Sequence, residues 1–342
     1  MAVYGADALT LADYKKRMAP DGTIDFIIEA LVNSNPIMDD IVWKMGNLPT
    51  GNVATIRTSQ PKPSARLINR GVAHSKSTTE QVTDTCIILE DRSQVDIEAV
   101  TLAANKEAFR RSEDAAFVAG FTDAVAANVF YGDTATNPLS FNGLSARYPL
   151  YGGTEKNKPA YQVVSGGTAN SGNANTTAFF VGWGTHATCG IYPKNSVAGL
   201  KQRDLGEMTV QDPNGLDFQA LVTLFTWKCG LHVGDIRSNS MVANIDTTLL
   251  AGMSSANKLK LIEQFVIAKN RIRNLQSRDK KVVLYVSDKL YDWFECYLID
   301  KNNVHITRQE LMNDVPRLYF SGIEIKKCDA ISNEEAAREQ DS

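Results

Sequence analysis

The chain has 342 residues, of which 43% are apolar and 22% are charged, a composition typical of a globular protein with a sizeable core. A formal net charge of −3 argues against a generally basic nucleic-acid binder, and no apolar run approaches the roughly 20 residues that span a bilayer. The cysteines are odd in number, far apart and without a CxxC pair, which favours free buried thiols in a reducing compartment. They are Cys86, Cys189, Cys229, Cys296 and Cys328.

Residues 1–47 are predicted to form a helical arm. Leu9–Met18 has amphipathic spacing and is stopped by Pro20, and a second apolar run at helical spacing ends at Asn35-Pro36. The segment lacks the basic-then-apolar order of a signal peptide. We therefore expect a structural arm and not a secretory leader.

Residues 48–92 are rich in Thr, Ser, Pro and Gly and have little apolar content before Cys86–Leu89. Such a segment cannot build a core of its own. It is either a disordered loop or a long two-stranded excursion that packs on something else.

The charge of this excursion is one-sided, because no acid occurs between Asp40 and Glu80. Its bases are either those of a solvated loop or those of a basic arm that docks on an acidic neighbour. The candidate contact residues are Arg57, Lys62, Arg66, Arg70 and Lys76, and Lys44 precedes them.

Residues 93–131 are predicted to form one very long helix. Ser93 and Asp96 have the spacing of a capping box, and an apolar stripe follows through Phe121, Val125 and Val129. No proline occurs before position 138. At 1.5 Å per residue such a helix is on the order of 55 Å long.

After the helix, turn chemistry occurs at Gly132-Asp133 and Asn142-Gly143, and residues 152–176 are predicted to form an exposed loop. Residues 177–245 have β character. A strong turn at Asp212-Pro213-Asn214-Gly215 predicts a hairpin. The predicted strands are 178–193, Leu205–Val210, Phe218–Trp227 and Gly230–Ile236.

Residues 246–330 are predicted to form a compact α/β unit. A helical stripe runs from Leu261 to Leu275, and Val282–Val286 is a continuous apolar run typical of a buried strand. Leu290–Leu298 gives a second amphipathic helix, and Gly322–Lys326 a last strand. The polar tail, residues 331–342, is expected to be loose.

The segment FVGWGTHATCGIYPK contains His186 three residues before Cys189. Side chains alternate along a strand, so residues three apart point to opposite faces and do not share a metal or form a nucleophile pair. The histidines at 74, 186, 232 and 305 have no zinc spacing. Asp133 is interpreted as a turn residue, and Asp39-Asp40 as a solvated helix end. We expect no catalytic group, metal or cofactor.

Several stretches resemble one protein family. VFYGDTATNPLSFNGLSAR, AFFVGWGTHATCGIYPK followed by DLGEMTV, and FSGIEIKKCDAI are similar to segments of the major capsid protein of tailed double-stranded DNA phages, the Hong Kong phage-type fold. In the first stretch YGD and NGL match best. The likeness covers nearly the whole chain. The hairpin block 178–242 precedes the helix–strand–helix unit, so the order looks permuted, as in short-tailed phages with a separate cement protein.

The resemblance implies an α+β fold with five parts. Residues 1–47 would be the N-terminal arm, 48–92 the extended loop, 93–245 the peripheral domain with spine helix 93–131, 246–330 the axial domain and 331–342 the tail. The implied function is self-assembly as hexamers and pentamers into the icosahedral head around the genome. An encapsulin-like compartment for cargo enzymes and a soluble α+β enzyme are the alternatives.

The resemblance also implies partners and a location. Because nothing before residue 48 is long enough for an internal scaffold, a separate scaffolding protein is expected. A cement protein, a portal protein at one vertex and packaged DNA without sequence specificity are the other expected partners, and a membrane is not. The chain is expected in the virion capsid, and in the host cytoplasm during assembly.

Overall fold

The structure, a computed structural model, describes residues 35–102, 105–167, 169–212, 214–275, 279–299, 305–309 and 317–341. The two arm helices expected before residue 35 lie outside the described residues. Packing divides the chain into two compact units. Within the described residues, the first comprises Ile88–Val125 and Val197–Lys228, and the second comprises the remainder.

The described chain contains both helices and strands, and elements of one type often follow one another. In order they are α1 (Ile37–Asp40), β1 (Trp43–Met45), β2 (Gly51–Ser59), β3 (Thr78–Thr85), β4 (Ile87–Asp96), α2 (Ile97–Leu102), α3 (Lys106–Tyr131), α4 (Leu144–Arg147), α5 (Pro159–Gln162), β5 (Val163–Ser165), β6 (Asn175–Trp183), β7 (Thr188–Tyr192), β8 (Leu200–Gln211), β9 (Asp217–Val233), β10 (Ser240–Asp246), α6 (Ser255–Arg271), β11 (Lys281–Val286), α7 (Asp288–Leu298), β12 (Ile306–Gln309), β13 (Arg317–Phe320) and β14 (Ile323–Lys327).

The second unit is built on a mixed sheet whose central strands are β6 and β11. β6 pairs antiparallel with β10 and with β11, and β11 pairs in parallel with β14. Every residue of β6 is buried, and its TTAFFV stretch is rich in the β-branched and aromatic residues that suit a sheet covered on both faces. The sheet therefore runs through the middle of this unit's core.

Helices α6 and α7 share one hydrophobic core with the sheet, as their apolar stripes predicted. Ser254 caps α6 by accepting a hydrogen bond from the backbone N–H of Asn257. The ring centroid of Phe265 lies 5.1 Å from that of Phe294 on α7 and 5.8 Å from that of Phe320 on β13. The α/β character expected for residues 246–330 is present in the described part of that range.

The first unit contains the hairpin expected around Asp212. β8 and β9 pair antiparallel from Leu200↔Trp227 to Gln211↔Asp217. The ring of Phe225 on β9 stacks on the ring of Phe117 on α3, with 5.9 Å between the ring centroids. Arg110 donates two hydrogen bonds, of 3.1 and 3.0 Å, to the carboxylate of Asp204, so a forked ion pair joins helix and hairpin.

The single helix predicted over 93–131 is wrong at its start. β4 continues to Asp96, whose carboxylate accepts the backbone N–H of Glu98 and starts the short helix α2. α3 begins only at Lys106, after Asn105 accepts the N–H of Ala108. Ser93 thus lies in a strand and caps nothing, and the long helix has 26 residues.

Three other assignments differ from the structure. The single strand predicted over 178–193 is two strands, β6 and β7, separated by a turn that exposes His186. β9 runs on to Val233, so the first part of the separate strand predicted over Gly230–Ile236 is its continuation, and Ile236 begins a 3-10 turn. The predicted exposed loop 152–176 includes α5 and β5, which bury Val163 and Val164.

The tail expected to be loose is instead a strap, which we define as residues 331–341. Glu335 forms an isolated antiparallel bridge with Asn175 at the start of β6. Its two carboxylate oxygens accept hydrogen bonds from the hydroxyls of Tyr131 and Thr177, each at 2.6 Å. Arg338 donates to the backbone oxygen of Tyr148. Buried polar partners, which composition does not reveal, hold this polar segment in place.

Asp40 is another polar residue that the structure buries. Asp39 is exposed, as expected for a helix end, but the Asp40 side chain is 3% exposed. It accepts hydrogen bonds from Lys281 and Lys326, each at 2.7 Å, and from the Tyr285 hydroxyl at 2.6 Å. Burial alone would raise the pKa of Asp40, but these three donors outweigh it and hold the pKa below its usual value.

Candidate functional site: the extended hairpin

The most prominent exposed element is the antiparallel pair β2–β3, which we call the extended hairpin. Its register runs from Gly51↔Thr85 at the base to Ser59↔Thr78, and residues 60–77 join the two strands. At about 3.3 Å per residue, β2 alone is roughly 30 Å long. Of the two alternatives for residues 48–92, the structure has the two-stranded excursion.

All five predicted contact residues belong to this hairpin and are exposed. Arg57 lies on β2, whereas Lys62, Arg66, Arg70 and Lys76 lie in the connecting segment 60–77. Within the described residues no ion pair engages any of the five. The hairpin therefore presents unneutralised positive charge to its surroundings.

Two of the five bases share a cleft with other basic side chains. Arg57 and Lys62 line an open cleft of about 870 Å³ together with Arg237 and Arg273. Its only acid among the lining residues is Asp235, which lies 3.2 Å from Arg237 and 4.0 Å from Arg273. The cleft suits a negatively charged partner.

The tip of the hairpin also exposes apolar side chains, which the charge-based interpretation missed. Leu67 is 75% exposed and Ile68 is 89% exposed. They lie in a turn closed by a hydrogen bond from the N–H of Arg70 to the oxygen of Leu67, with Asn69 in the left-handed region at φ 61°. The pattern Arg-Leu-Ile-Asn-Arg was visible in the sequence as an apolar pair between two arginines.

The base of the hairpin is anchored by a buried ionic cluster. One carboxylate oxygen of Asp84 on β3 accepts a hydrogen bond from Arg147 at 2.7 Å, and the other lies 2.6 Å from Nδ1 of His232 on β9. Arg147 also donates to the backbone oxygen of Leu231. Burial would raise the pKa of Asp84, but the hydrogen bond to His232 and the charge of Arg147 lower it below its usual value.

Close backbone packing supports the same anchor. A Cβ on Gly51 would lie 1.9 Å from the backbone oxygen of Asp84, and one on Gly46 would lie 2.2 Å from that of Gly51. Asn47 exchanges two 2.7 Å hydrogen bonds with the backbone of Val53. The hairpin therefore leaves the second unit from a tightly fitted base.

The YGD and NGL stretches meet at the end of α3. A Cβ on Gly132 would lie 2.3 Å from the oxygen of Phe141, and one on Gly143 would lie 2.4 Å from that of Asn128. Asp133 accepts the N–H of Ala135, which confirms its interpretation as a turn residue. Close backbone packing therefore explains the two glycines, and a hydrogen bond within the turn explains the aspartate.

The structure does not bring the candidate catalytic and metal-binding side chains together. His186 is exposed in the turn and Cys189 is fully buried. No group of three or more metal-binding side chains occurs among the residues described. The cysteines are free; three are buried and Cys86 is partly so, but Cys296 is exposed, contrary to expectation. No described helix has the length and apolar character needed to cross a bilayer.

Comparison with solved structures gives a strong match over the whole chain. The chain is 31% identical to a chain in the near-atomic cryo-EM structure of bacteriophage Epsilon15, with a TM-score of 0.74 and 99% of both chains covered. The bacteriophage JBD30 capsid aligns at 13% identity and a TM-score of 0.49, covering 94% of this chain and 99% of that chain. The SrpI encapsulin of Synechococcus elongatus PCC 7942 aligns at 10% identity and a TM-score of 0.43, covering 70% and 96%.

The sequence also matches the family described as major capsid protein GP7, over residues 19–339. No curated protein sequence matches the chain. The family match and the Epsilon15 structure confirm the predicted α+β capsid fold, and they favour a phage capsid over the cargo compartment and the enzyme. The chain belongs to the major capsid protein GP7 family and is a structural subunit of an icosahedral phage capsid, not an enzyme.

Proposed function

We propose that the chain assembles as hexamers and pentamers and that the extended hairpin holds neighbouring subunits in register. The observation that carries this proposal is the exposure of Arg57, Lys62, Arg66, Arg70 and Lys76, which form no ion pair with any residue that the structure describes. Exposed pairs contribute roughly 0–1 kcal/mol each, but a closed shell repeats them many times. The partner surface is acidic and belongs to an adjoining copy.

The domain roles follow the same proposal. Residues 1–47 serve as the arm, 48–92 as the extended loop, 93–245 as the peripheral domain and 246–330 as the axial domain near the capsomer centre. The anchored base and exposed tip of the extended hairpin support its role as a projecting contact element. The permuted order of hairpin block and axial unit stays a prediction.

The proposal includes partners other than identical subunits. A separate scaffolding protein directs assembly in the host cytoplasm, a portal protein occupies one vertex and a cement protein binds the shell. DNA fills the interior without sequence-specific contacts, in keeping with the net charge of −3. Support for these partners is the family membership alone.

The test reverses charge at the hairpin tip. We expect the double variant Arg66→Glu, Arg70→Glu to give a folded, unassembled subunit, because like charges then face each other across the contact. The matched control is Arg66→Lys, Arg70→Lys, which keeps the charge and should form shells. Electron microscopy of the subunit expressed with its scaffolding protein reads the result. Intact shells from the Glu variant would contradict the role of the hairpin.

A further inference from the structure

The basic cleft of about 870 Å³ beside the extended hairpin is lined by two parts of the second unit. One part is the hairpin itself, residues 55–63, which contributes Arg57 and Lys62. The other part is the body of the unit, which contributes Arg237 and Arg273. Positive charge therefore enters the cleft from the hairpin and from the body, and a ligand in the cleft would contact both.

The two arginines of the body are held next to each other by their backbones. The N–H of Arg273 donates a hydrogen bond of 2.9 Å to the backbone oxygen of Arg237. Asp235 accepts the backbone N–H of Arg237 at 3.0 Å, and the Nε of the same arginine lies 3.2 Å from the same carboxylate oxygen. The body side of the cleft is thus ordered before a ligand arrives, which reduces the entropic cost of binding.

Positive charge exceeds negative charge in the cleft. Four basic side chains line it and Asp235 is the only acid among the described lining residues, so three positive charges are left over. Lys280 adds a further base beside them, because its Nζ donates to the backbone oxygen of Arg273. Burial lowers the pKa of Lys280; the charge of Asp235 opposes this effect, and the charge of Arg273 adds to it. An anion in the cleft would offset this mutual repulsion.

The side chains that line the cleft suit phosphate groups. Three of the four bases are arginines, and a planar guanidinium binds two phosphate oxygens through parallel hydrogen bonds. Gln60 and Asn157 add amide donors. No aromatic side chain occurs among the described lining residues, so the cleft lacks the stacking surfaces that bind the bases of a single nucleic-acid strand.

The size of the cleft favours a ligand larger than one phosphate. Its volume of about 870 Å³ lies within the range of roughly 300–1,000 Å³ that is typical of sites for small molecules. Several linked phosphates also match the three uncompensated charges better than a single carboxylate does.

We propose that this cleft binds a short polyphosphate chain, either free or as the triphosphate of a nucleotide, and that the bound anion links the extended hairpin to the body of the second unit. Arg237 and Arg273 bind it from the body, and Arg57 and Lys62 bind it from the hairpin. The inference goes beyond the proposed contact between subunits, because it concerns a ligand held within one chain.

The experiment titrates the unassembled subunit with inorganic tripolyphosphate in a calorimeter. One site per chain is expected. The double variant Arg237→Gln, Arg273→Gln should bind at least about tenfold more weakly, because hydrogen bonds to charged groups are lost. The matched control is Lys201→Gln, Arg203→Gln on β8, which removes the same charge from exposed positions outside the cleft and should bind like the unaltered protein.

Hydrogen exchange gives a second readout. Tripolyphosphate is expected to slow the exchange of residues 51–59 in the unaltered protein, because the anion joins the hairpin to the body, and to leave the double variant unchanged. Circular dichroism checks that this variant folds. The variant Arg57→Gln, Lys62→Gln alters only exposed side chains of the hairpin and should weaken binding by at least about tenfold as well.

The outcomes decide the proposal and its source of phosphate. Equal affinities in the double variant and its control, or the same response to sulfate at equal ionic strength, overturn the site. Binding of duplex DNA without binding of tripolyphosphate overturns it too and assigns the cleft to a nucleic-acid backbone. Tighter binding of a nucleoside triphosphate than of tripolyphosphate supports the nucleotide, and equal binding supports free polyphosphate. All these results leave the proposed function intact, since that is tested at Arg66 and Arg70.

Discussion

Asp84 is a single residue on which the base of the extended hairpin depends. Its carboxylate joins three elements, β3, α4 and β9, and its side chain is 3% exposed. Removing one partner of a buried ion pair leaves the other charge without compensation, and this costs more than the pair itself contributes. The cluster therefore makes the hairpin base sensitive to one substitution.

We expect Asp84→Asn to lower the free energy of unfolding by about 3–5 kcal/mol, because Arg147, whose side chain is only 17% exposed, then lies without its counter-charge. Urea denaturation of the unassembled subunit measures the change. Asp217→Asn, at an exposed carboxylate, is the matched control and should lie within about 0.5 kcal/mol of the unaltered protein. A similar loss in both variants would rule out the anchor.

The same carboxylate gives a pH dependence of known sign. Its pKa in the folded state lies below the ordinary value of 3.8, so its stabilising contribution is present at neutral pH and is lost as pH falls below about 4. Denaturation curves at several pH values measure this effect. As pH is lowered from 6 to 3, the free energy of unfolding should decrease more steeply for the unaltered protein than for Asp84→Asn. The same pH dependence of the unfolding free energy in both proteins would contradict the lowered pKa of Asp84.

Sequence alone could not reveal this cluster, since its members lie far apart along the chain. Arg147 and Asp84 are 63 positions apart, and His232 and Asp84 are 148 apart. His232 appears in the sequence as a lone histidine. Asp40 illustrates the same limit, because its partners Lys281 and Lys326 come from strands more than two hundred residues later.

At the scale of elements, the hairpin base is fitted too closely to accept a side chain. We expect Gly51→Ala to destabilise the subunit by about 1–3 kcal/mol, because its Cβ would lie 1.9 Å from the backbone oxygen of Asp84. Gly71→Ala in the connecting segment meets nothing within 4 Å and should change stability by less than about 0.5 kcal/mol. Thermal unfolding compares the pair, and equal melting temperatures would contradict the close fit.

The strap is the second element that invites a test. Burial, followed by the nearby charge of Glu335, raises the pKa of Tyr131, so its hydroxyl stays protonated and donates to that carboxylate. We expect Glu335→Gln to cost about 2 kcal/mol, because a hydrogen bond to a charged acceptor is replaced by a weaker one. Glu334→Gln, at the exposed neighbouring position, should be neutral. Hydrogen exchange of residues 331–341 would show faster exchange only in the first variant.

Helices and strands with a strong apolar periodicity could be predicted from the sequence, but their boundaries could not. The stripe through Leu261 and Phe265 and the run Val282–Val286 correctly predict α6 and β11, because apolar spacing directly reflects burial. The start of the long helix was misplaced because Ser93 and Asp96 fit both a capping box and a strand. The strap could not be predicted, because a polar composition indicates exposure to solvent and does not reveal the buried polar groups with which the segment pairs.

At the scale of the whole molecule, the fold class and family followed from the order of elements and from three short stretches of sequence. The apolar hairpin tip did not, because Leu67 and Ile68 have no periodic context that marks them as exposed.

Assembly should depend on ionic strength. The hairpin bases are exposed, and the Debye length falls from about 10 Å at 0.1 M salt to about 3 Å at 1 M. We expect the yield of shells to fall as salt rises, and light scattering to show a shallower dependence for the variant Arg66→Gln, Arg70→Gln. Identical slopes for the two proteins would contradict an electrostatic role of the tip.

The strap also has a consequence for synthesis on the ribosome. Asn175 at the start of β6 donates a hydrogen bond to the backbone oxygen of Glu335, which is synthesised 160 residues later. At typical rates of elongation this delay is on the order of ten to thirty seconds. A nascent chain leaves Tyr131 and Thr177 without their acceptor until Glu335 emerges from the exit tunnel. A chain that terminates before residue 331 lacks these contacts altogether, and we expect it to be less stable than the full chain.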